Sequence, residues 1–207
     1  MPPHFRWLGE ADCPRLLRRM QQHARAVRHD TASEEVWFCH HPPIYTTGRR
    51  GVDNRTRPEL PAPLLVTDRG GETTFHGPGQ LLCYPIIDLK RRRIAVRRFV
   101  ALLEESCIGL LAGCRIAAGR RAGLPGVWSA RGKIAAIGLR IDDGVSRHGM
   151  ALNVTTDPAW FAPIRPCGLE AGIDRIADHT SPPPLETLAG SWFRLLVALL
   201  SGEGRGQ

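Results

Sequence analysis

The chain has 207 residues, 43% of them hydrophobic, and a formal net charge of +8. This length and composition allow one domain with a single sizeable core, so we predict one domain over residues 1–207. No apolar run reaches the length of a membrane span, and the first residues lack the apolar stretch of a secretory signal, so we expect a cytoplasmic protein.

Six cysteines are scattered along the chain without a CxxC pair, and the chain is too large to need disulfide staples. We therefore interpret them as reduced thiols. Cys107 and Cys114 lie in one apolar run and fit small hydrophobic positions on a helix face, and the same interpretation fits Cys13, Cys39 and Cys83.

The positive charge comes mainly from arginine, with basic clusters at Arg49–Arg50, Lys90–Arg93 and Arg97–Arg98. Such clusters favour acidic partners, either nucleic acid or an acidic carrier protein, although solvated basic surface without a partner fits them as well. No recognised nucleic-acid motif accompanies the charge.

The first half of the chain alternates helical and extended patterns. Asp12 can cap a helix through LLRRMQQHARAV, which is followed by a strand EVWFC and a proline turn in HPPIYTTGRR. Two further strands are predicted at 64–67 and 81–89.

The second half begins with a helix over 96–113, indicated by apolar residues at three- and four-residue spacing. The segments GVWS, KIAAIGLRI and VSRHGMALNV then predict an antiparallel meander, and a last helix is predicted over 185–200. The fold class is therefore α/β (α+β), with a mixed, largely antiparallel central sheet flanked by helices.

Residues 69–80 are rich in glycine around the extended segment ETTFH. Their backbone can approach a ligand closely and offer N–H groups to an oxyanion or a carboxylate. A hairpin with glycine-rich ends and His76 as a satisfied polar residue fits the same pattern.

Cys167 differs from the other cysteines because it lies in Pro-Cys-Gly, outside any apolar periodic run. A nearby cation or helix start would favour the reactive thiolate there, whereas a lone loop cysteine is most often only a small residue.

Lys133 begins the strand KIAAIGLRI, where strict alternation places it on the more apolar face with Ala135, Ile137 and Leu139. A lysine held against such a face can exchange protons near neutrality, but a lysine at a strand end can also extend to water.

The sequence predicts no metal site and no phosphate loop. The eight histidines form no HxxxH or similar ligand spacing, and residues 69–79 lack the GxxxxGK[ST] order.

The chain resembles the lipoyl(octanoyl) transferases, also called octanoyl-acyl carrier protein:protein octanoyltransferases, in six segments taken in order: HPPIYTTGRR, RGGETTFHGPGQLLCYPIIDLKRR, PGVW, GKIAAIGLRI, HGMALNV and PIRPCG. The resemblance covers residues 40–170. It implies the fold of the biotin and lipoate protein ligases, a mixed α/β domain with a cavity over the central sheet. It departs from the usual family pattern at Glu72, where many relatives have glutamine or lysine, and at Phe75, where tyrosine is usual.

By this resemblance the enzyme takes an octanoyl group from octanoyl-acyl carrier protein and places it on a lysine of a lipoyl domain, in a 2-oxoacid dehydrogenase or the glycine cleavage H protein. The acyl group passes through a cysteine thioester on Cys167, which Lys133 assists. The resemblance also implies substrate contacts at Arg69, Gly70, Gly71, Glu72, Thr73, Thr74, Phe75, His76, Ala136, Ile137, Gly138, Gly149, Met150 and Ala151.

We expect no cofactor, no metal, no nucleic acid and no membrane partner, and a monomer. Backbone N–H groups of Gly70, Gly71, Gly138 or Gly168, with His76 as a further donor, are candidates for the oxyanion site. The alternative on the same fold is an ATP-dependent lipoate or biotin protein ligase, which needs no cysteine. The alternative from another class is a basic scaffold or nucleic-acid binder.

Overall fold

The computed structural model describes residues 1–49, 51, 59–164 and 172–203. In this part of the chain, seven strands form the main sheet in the order β1-β2-β6-β10-β9-β8-β7. The strands β1 and β2 are parallel, and every other neighbouring pair is antiparallel. Their bounds are β1 His4–Glu10, β2 Glu35–His40, β6 Gln80–Ile86, β7 Ala118–Arg121, β8 Leu124–Ser129, β9 Lys133–Asp142 and β10 Val145–Asn153.

One face of this sheet is covered by helix α1 (Cys13–Arg28). Asp12 caps the helix by accepting a hydrogen bond from the Arg15 N–H at 2.9 Å, as its sequence position predicts. The buried stripe of α1, which includes Leu16 and Met20, packs against side chains of β2, β6 and β10. The opposite stripe is rich in arginine and lies at the surface.

The other face is covered by α2 (Val96–Gly113) and α3 (Leu185–Glu203), which also pack against each other. Side chains alternate strictly along β6, so that Leu81 and Cys83 join the α2 and α3 core while Leu82 and Tyr84 join the α1 core. Because both faces of the sheet are covered, the central strands β6 and β10 are buried at every residue, including the polar residues Ser146, Arg147 and His148 of β10.

A second sheet of three strands lies beside the main one, in the order β4-β3-β5 among the described residues. Its strands are β3 Ile44–Thr47, β4 Leu64–Val66 and β5 Thr74–His76. It packs through an aromatic cluster of Tyr45, Phe75 and Phe161 against a 3-10 helix at Pro158–Phe161. Its strand β5 is part of the glycine-rich segment, which contacts β9 of the main sheet through the hydrogen bond from the Gly70 N–H to the Leu139 carbonyl.

The predicted fold class is confirmed: the sheet is mixed and largely antiparallel, and helices flank it. The three predicted helices and the meander of β8, β9 and β10 are present. The prediction omitted β1, β3 and β7, which are short or polar strands with weak alternation. None of the helices in the described ranges has both the length and the apolarity that crossing a bilayer requires.

Candidate active site

A cavity of about 370 Å³ is lined by the first turns of α1 and of α2, by the glycine-rich segment and by residues of β6, β8, β9 and β10. It brings together thirteen of the substrate contacts that the resemblance implies, and Lys133. These residues are Arg69, Gly70, Gly71, Glu72, Thr73, Thr74, His76, Lys133, Ala136, Ile137, Gly138, Gly149, Met150 and Ala151. Apolar side chains such as Leu17 and Leu82 complete the wall, so the cavity suits an apolar ligand with a polar end.

Arg69 holds the glycine-rich loop in shape from within. Its guanidinium donates to the Thr46 carbonyl at 2.6 Å, to the Glu72 carbonyl at 2.8 Å and to the Gly70 carbonyl at 2.9 Å. The side chain is buried, with 7% of its surface exposed. Arg69 therefore both lines the cavity and cross-links the loop to β3.

The loop crosses β9 at Gly138. The Gly70 N–H donates to the Leu139 carbonyl at 2.9 Å, and a Cβ on Gly138 would lie 2.9 Å from the Gly70 carbonyl oxygen. Gly138 in turn faces Gly149 across the β9–β10 pair, where a Cβ would lie 2.0 Å from the Cys83 carbonyl oxygen. The absence of side chains at these two positions lets the loop and the neighbouring backbone come this close.

Lys133 faces the cavity because of a β-bulge. Val127 of β8 pairs with Ala135 but Trp128 pairs with Lys133, so β9 contains one extra residue, Ile134, between the two pairs. Ala135 joins the α2 and α3 core, whereas Lys133 lies on the opposite face with its Nζ 4.7 Å from the centre of the Trp128 ring. Strict alternation predicted Lys133 on one face with Ala135, Ile137 and Leu139. The bulge separates Lys133 from Ala135, while Ile137 and Leu139 line the same cavity as Lys133.

The backbone of Lys133 anchors the chain that follows the Pro-Cys-Gly motif. The Lys133 N–H donates to the Gly172 carbonyl at 2.9 Å, and the Asp174 N–H donates to the Lys133 carbonyl at 3.0 Å. Cys167 itself, with Gly168, lies outside the described residues. The described chain therefore resumes in contact with Lys133, five residues after Cys167.

The five described cysteines are poor nucleophiles. Burial raises the pKa of Cys13 to about 12, and burial also raises the pKa values of Cys39, Cys83, Cys107 and Cys114. Cys13 lines the cavity, yet its thiol would stay protonated near neutral pH. Their interpretation as small apolar residues fits these positions.

His76 lies at the cavity wall and is linked to the sheet by side-chain amides. Its Nδ1 lies 2.7 Å from Gln80 Oε1, and Gln80 Nε2 donates to Asn153 Oδ1 at 2.9 Å. Burial and the neighbouring His41 lower the pKa of His76 to about 3, so the ring is neutral near pH 7. No spacing in the sequence indicated the role of Asn153, because it meets Gln80 only when β6 pairs with β10.

Phe75 lies away from the cavity. Its ring is fully buried and stacks on Trp160, with ring centres 4.7 Å apart and planes 4° from parallel. It also contacts Tyr45 and Phe161. The structure thus places this predicted substrate contact in the aromatic cluster that supports the glycine-rich segment.

Comparison with known proteins places the chain in a protein family. The sequence profile of the lipoyl protein ligase A/B catalytic domain matches residues 15–192. An octanoyltransferase of Dechloromonas aromatica (strain RCB) is 45% identical over 168 residues, which cover 81% of this chain and 82% of the relative. The chain belongs to the octanoyltransferases of the lipoyl protein ligase A/B catalytic domain family. It is therefore an enzyme, as the motifs predicted.

Solved structures of this superfamily share the fold at low sequence identity. A lipoate-protein ligase A bound with ATP is similar with a TM-score of 0.73 at 15% identity, covering 97% of this chain and 86% of that one. A bipartite lipoate protein ligase of Thermoplasma acidophilum, described with its E2 lipoyl domain, has a TM-score of 0.68 at 14% identity and coverages of 97% and 84%. These similarities confirm the predicted ligase-like fold.

Asp68, Arg147 and His148 form a polar cluster beside the cavity, which His148 lines. The motifs did not predict this cluster. Asp68 accepts hydrogen bonds from His148 Nε2 at 2.8 Å and from Arg147 Nη2 at 2.6 Å. These contacts hold the pKa of Asp68 well below its usual range. The cluster links Asp68, just before the glycine-rich loop, to β10, and its sequence signal was His148, the first residue of the HGMALNV segment.

Proposed function

We propose that this enzyme transfers an octanoyl group from octanoyl-acyl carrier protein to a lysine of a lipoyl domain, through a thioester on Cys167. The supporting observation is the position of Lys133, which is buried in a largely apolar cavity where the chain that follows Cys167 is attached. Relatives named octanoyltransferase support the octanoyl group as the cargo. We further propose that residues 1–207 form a single, monomeric, cytoplasmic domain.

The cavity suits an acyl chain in size and polarity. Its volume of about 370 Å³ is near the lower end of the range of roughly 300–1,000 Å³ for small-molecule sites. Ile137, Leu139 and Met150 are part of its apolar wall. Lys133 and His76 supply polar groups at the end where β9 begins, so the thioester carbonyl belongs at that end.

The first half-reaction forms the acyl-enzyme. Lys133 accepts the proton of the Cys167 thiol, and the thiolate attacks the thioester carbonyl. The tetrahedral intermediate collapses by breaking the bond to the phosphopantetheine sulfur, which leaves as a thiolate and takes the proton back from Lys133. Neither a metal ion nor a cofactor enters this step.

The second half-reaction forms the amide. The neutral amine of the target lysine attacks the acyl-enzyme carbonyl, the bond to the Cys167 sulfur breaks, and the proton released from the amine nitrogen passes through Lys133 to the departing thiolate. The sum is one thioester and one amine converted to one thiol and one amide.

The two glycine N–H groups of the loop, at Gly70 and Gly71, differ in whether they are available to bind the oxyanion. The Gly70 N–H already donates to the Leu139 carbonyl at 2.9 Å, so it is not free for substrate. The Gly71 N–H donates to no described residue, and the loop places it at the cavity. We propose Gly71 as the donor from the described residues, with Gly168 as the candidate next to the nucleophile.

The partners fit the charge of the surface. Helix α1 contains five arginines and no acidic residue, and Arg15, Arg18 and Arg25 are exposed. An acidic acyl carrier protein and an acidic lipoyl domain are both attracted to such a surface. The structural neighbour described with an E2 lipoyl domain supports a lipoyl domain as the acceptor.

The first experiment measures intact-protein mass after incubation with octanoyl-acyl carrier protein. We expect a hydroxylamine-labile octanoyl adduct on the native chain, its absence in Cys167→Ser and slower formation in Lys133→Ala. Cys13→Ser is the matched control, because Cys13 also lines the cavity but its pKa of about 12 disfavours the thiolate; it should be acylated at the native rate.

Three results would overturn the proposal. An adduct that persists in Cys167→Ser would place the nucleophile elsewhere. Modification of a lipoyl domain with free octanoate, ATP and Mg²⁺, together with no reaction from octanoyl-acyl carrier protein, would identify an adenylating ligase. Salt-sensitive nucleic-acid binding without any acylation would favour the basic scaffold.

A further inference from the structure

A chain of hydrogen bonds fixes the orientation of His76. It begins at the Asp174 backbone carbonyl, which can only accept, and which lies 3.1 Å from Asn153 Nδ2. Asn153 must therefore present its Oδ1 to Gln80, whose Nε2 donates to it at 2.9 Å. Gln80 then presents its Oε1 to His76 Nδ1 at 2.7 Å.

This order of donors and acceptors selects one tautomer of His76. Because Gln80 Oε1 is an acceptor, Nδ1 carries the proton, and the Nε2 of the neutral ring carries a lone pair. Nε2 has no hydrogen-bond partner among the described residues. It is also not one of the described polar side-chain atoms that are both buried and without a partner. Since His76 lines the cavity, Nε2 offers the ligand an acceptor.

His76 lies at the same end of the sheet as Lys133. Gln80 begins β6 and pairs with Asn153 at the end of β10, while Lys133 begins the adjacent strand β9. Asp174 closes the connection, because its carbonyl accepts from Asn153 and its N–H donates to the Lys133 carbonyl. One rigid network therefore positions both His76 and the backbone of Lys133.

An acceptor at Nε2 cannot serve as an oxyanion donor. It requires a ligand group with an N–H or O–H, and in the proposed reaction the reacting group with spare N–H bonds is the amine of the target lysine. We propose that His76 Nε2 accepts a hydrogen bond from this amine and aims its lone pair at the acyl-enzyme carbonyl. The inference rests on the proposed function and adds a positioning residue to its second half-reaction.

The surroundings of His76 favour this role over that of a general base. Burial is the largest cause of the lowered pKa of His76, and His41, Arg69 and His148 act in the same direction, while the hydrogen bond to Gln80 opposes them. A ring that stays neutral down to about pH 3 accepts a hydrogen bond but does not retain the proton. The proton of the amine therefore leaves by Lys133 and the Cys167 thiolate.

The test separates the two half-reactions in single-turnover experiments on the full chain. Acyl-enzyme formation from octanoyl-acyl carrier protein is followed by mass, and transfer is then followed after addition of a purified lipoyl domain. For His76→Leu, which has no acceptor, we expect transfer slowed on the order of 10²-fold, as for a misplaced nucleophile, and acyl-enzyme formation slowed by a clearly smaller factor. His76→Gln can place Oε1 near the position of Nε2 and should recover part of the transfer rate.

The outcomes distinguish the inference from the proposed function. Equal slowing of both half-reactions in His76→Leu, or native transfer in that variant, would overturn the role of His76 while the native acyl-enzyme still supports the function. No acyl-enzyme on the native chain would overturn the function itself. If His76→Leu does not fold, ¹⁵N NMR of the native histidine rings decides: a protonated Nε2 contradicts the inference.

Discussion

Lys133 faces Trp128 across the β8–β9 pair, with its Nζ 4.7 Å from the centre of the indole ring. The contact exists because Ile134 is an extra residue in β9, which turns Lys133 toward the cavity. The indole face attracts the ammonium group and limits the positions that the flexible lysine side chain samples. Trp128 is thus a positioning residue for the proposed proton acceptor.

Replacing Trp128 should slow acylation without removing it. A cation–π contact of about 1 kcal/mol corresponds to a rate change of about 5-fold, so we expect Trp128→Leu to form the acyl-enzyme about 5-fold more slowly. Trp128→Phe keeps an aromatic face and should lie between this variant and the native chain. The measurement is the single-turnover rate at several pH values, and an unchanged rate in Trp128→Leu would show that the contact has no role.

Gly138→Ala should displace the glycine-rich loop. The new Cβ would lie 2.9 Å from the Gly70 carbonyl oxygen and 3.3 Å from Arg69 Cδ, both of which are held by hydrogen bonds. We expect a loss of about 1–3 kcal/mol in the free energy of unfolding and a raised KM for the acyl donor. Gly119→Ala in β7 is the control, since a Cβ there meets nothing within 4 Å. Equal effects of the two changes would contradict the close approach.

Phe75 should matter for stability and not for substrate contact. Its ring is fully buried and stacks on Trp160, so Phe75→Leu should lower the free energy of unfolding by about 1–3 kcal/mol. Well below the unfolding temperature, acyl-enzyme formation should stay near the native rate. A raised KM for the donor with unchanged stability would instead support the substrate contact that the resemblance implies.

The stability of the fold should decrease as the pH falls from about 6.5 toward 3. The pKa of His76 is about 3 in the folded chain, below its value when unfolded, so in this window the unfolded chain binds the proton and the folded chain does not. His41 and His148, whose pKa values are also lowered by burial, act in the same direction.

Urea unfolding at pH 6, 5 and 4 tests the share of His76. Each such histidine contributes a loss of roughly 1 kcal/mol per pH unit, so His76→Gln should show a shallower dependence than the native chain by about that amount. His4→Gln is the control, because His4 is exposed in β1. An identical slope in His76→Gln would mean that the ring is protonated in the folded state.

Much of the fold was readable from local patterns. The 3.6-residue spacing in α1, α2 and α3 and the Asp12 cap are consequences of the helix backbone alone, and they predicted these elements within a few residues. The strands β3 and β7 were missed because four residues carry little alternation. The longer β1 was missed because its place in the sheet depends on pairing with β2, about 30 residues further along the chain.

The sequence by itself determined the family, the three helices, the meander and the group of motifs that line the cavity, because each of these is recorded in residues close together along the chain. Tertiary structure alone decided which face Lys133 occupies, since a β-bulge depends on the pairing of β8 with β9. It also decided the tautomer of His76, because hydrogen-bond direction is set by Gln80, Asn153 and Asp174 together. Local propensity acts over a few residues, whereas these features require strands that meet only in the folded sheet.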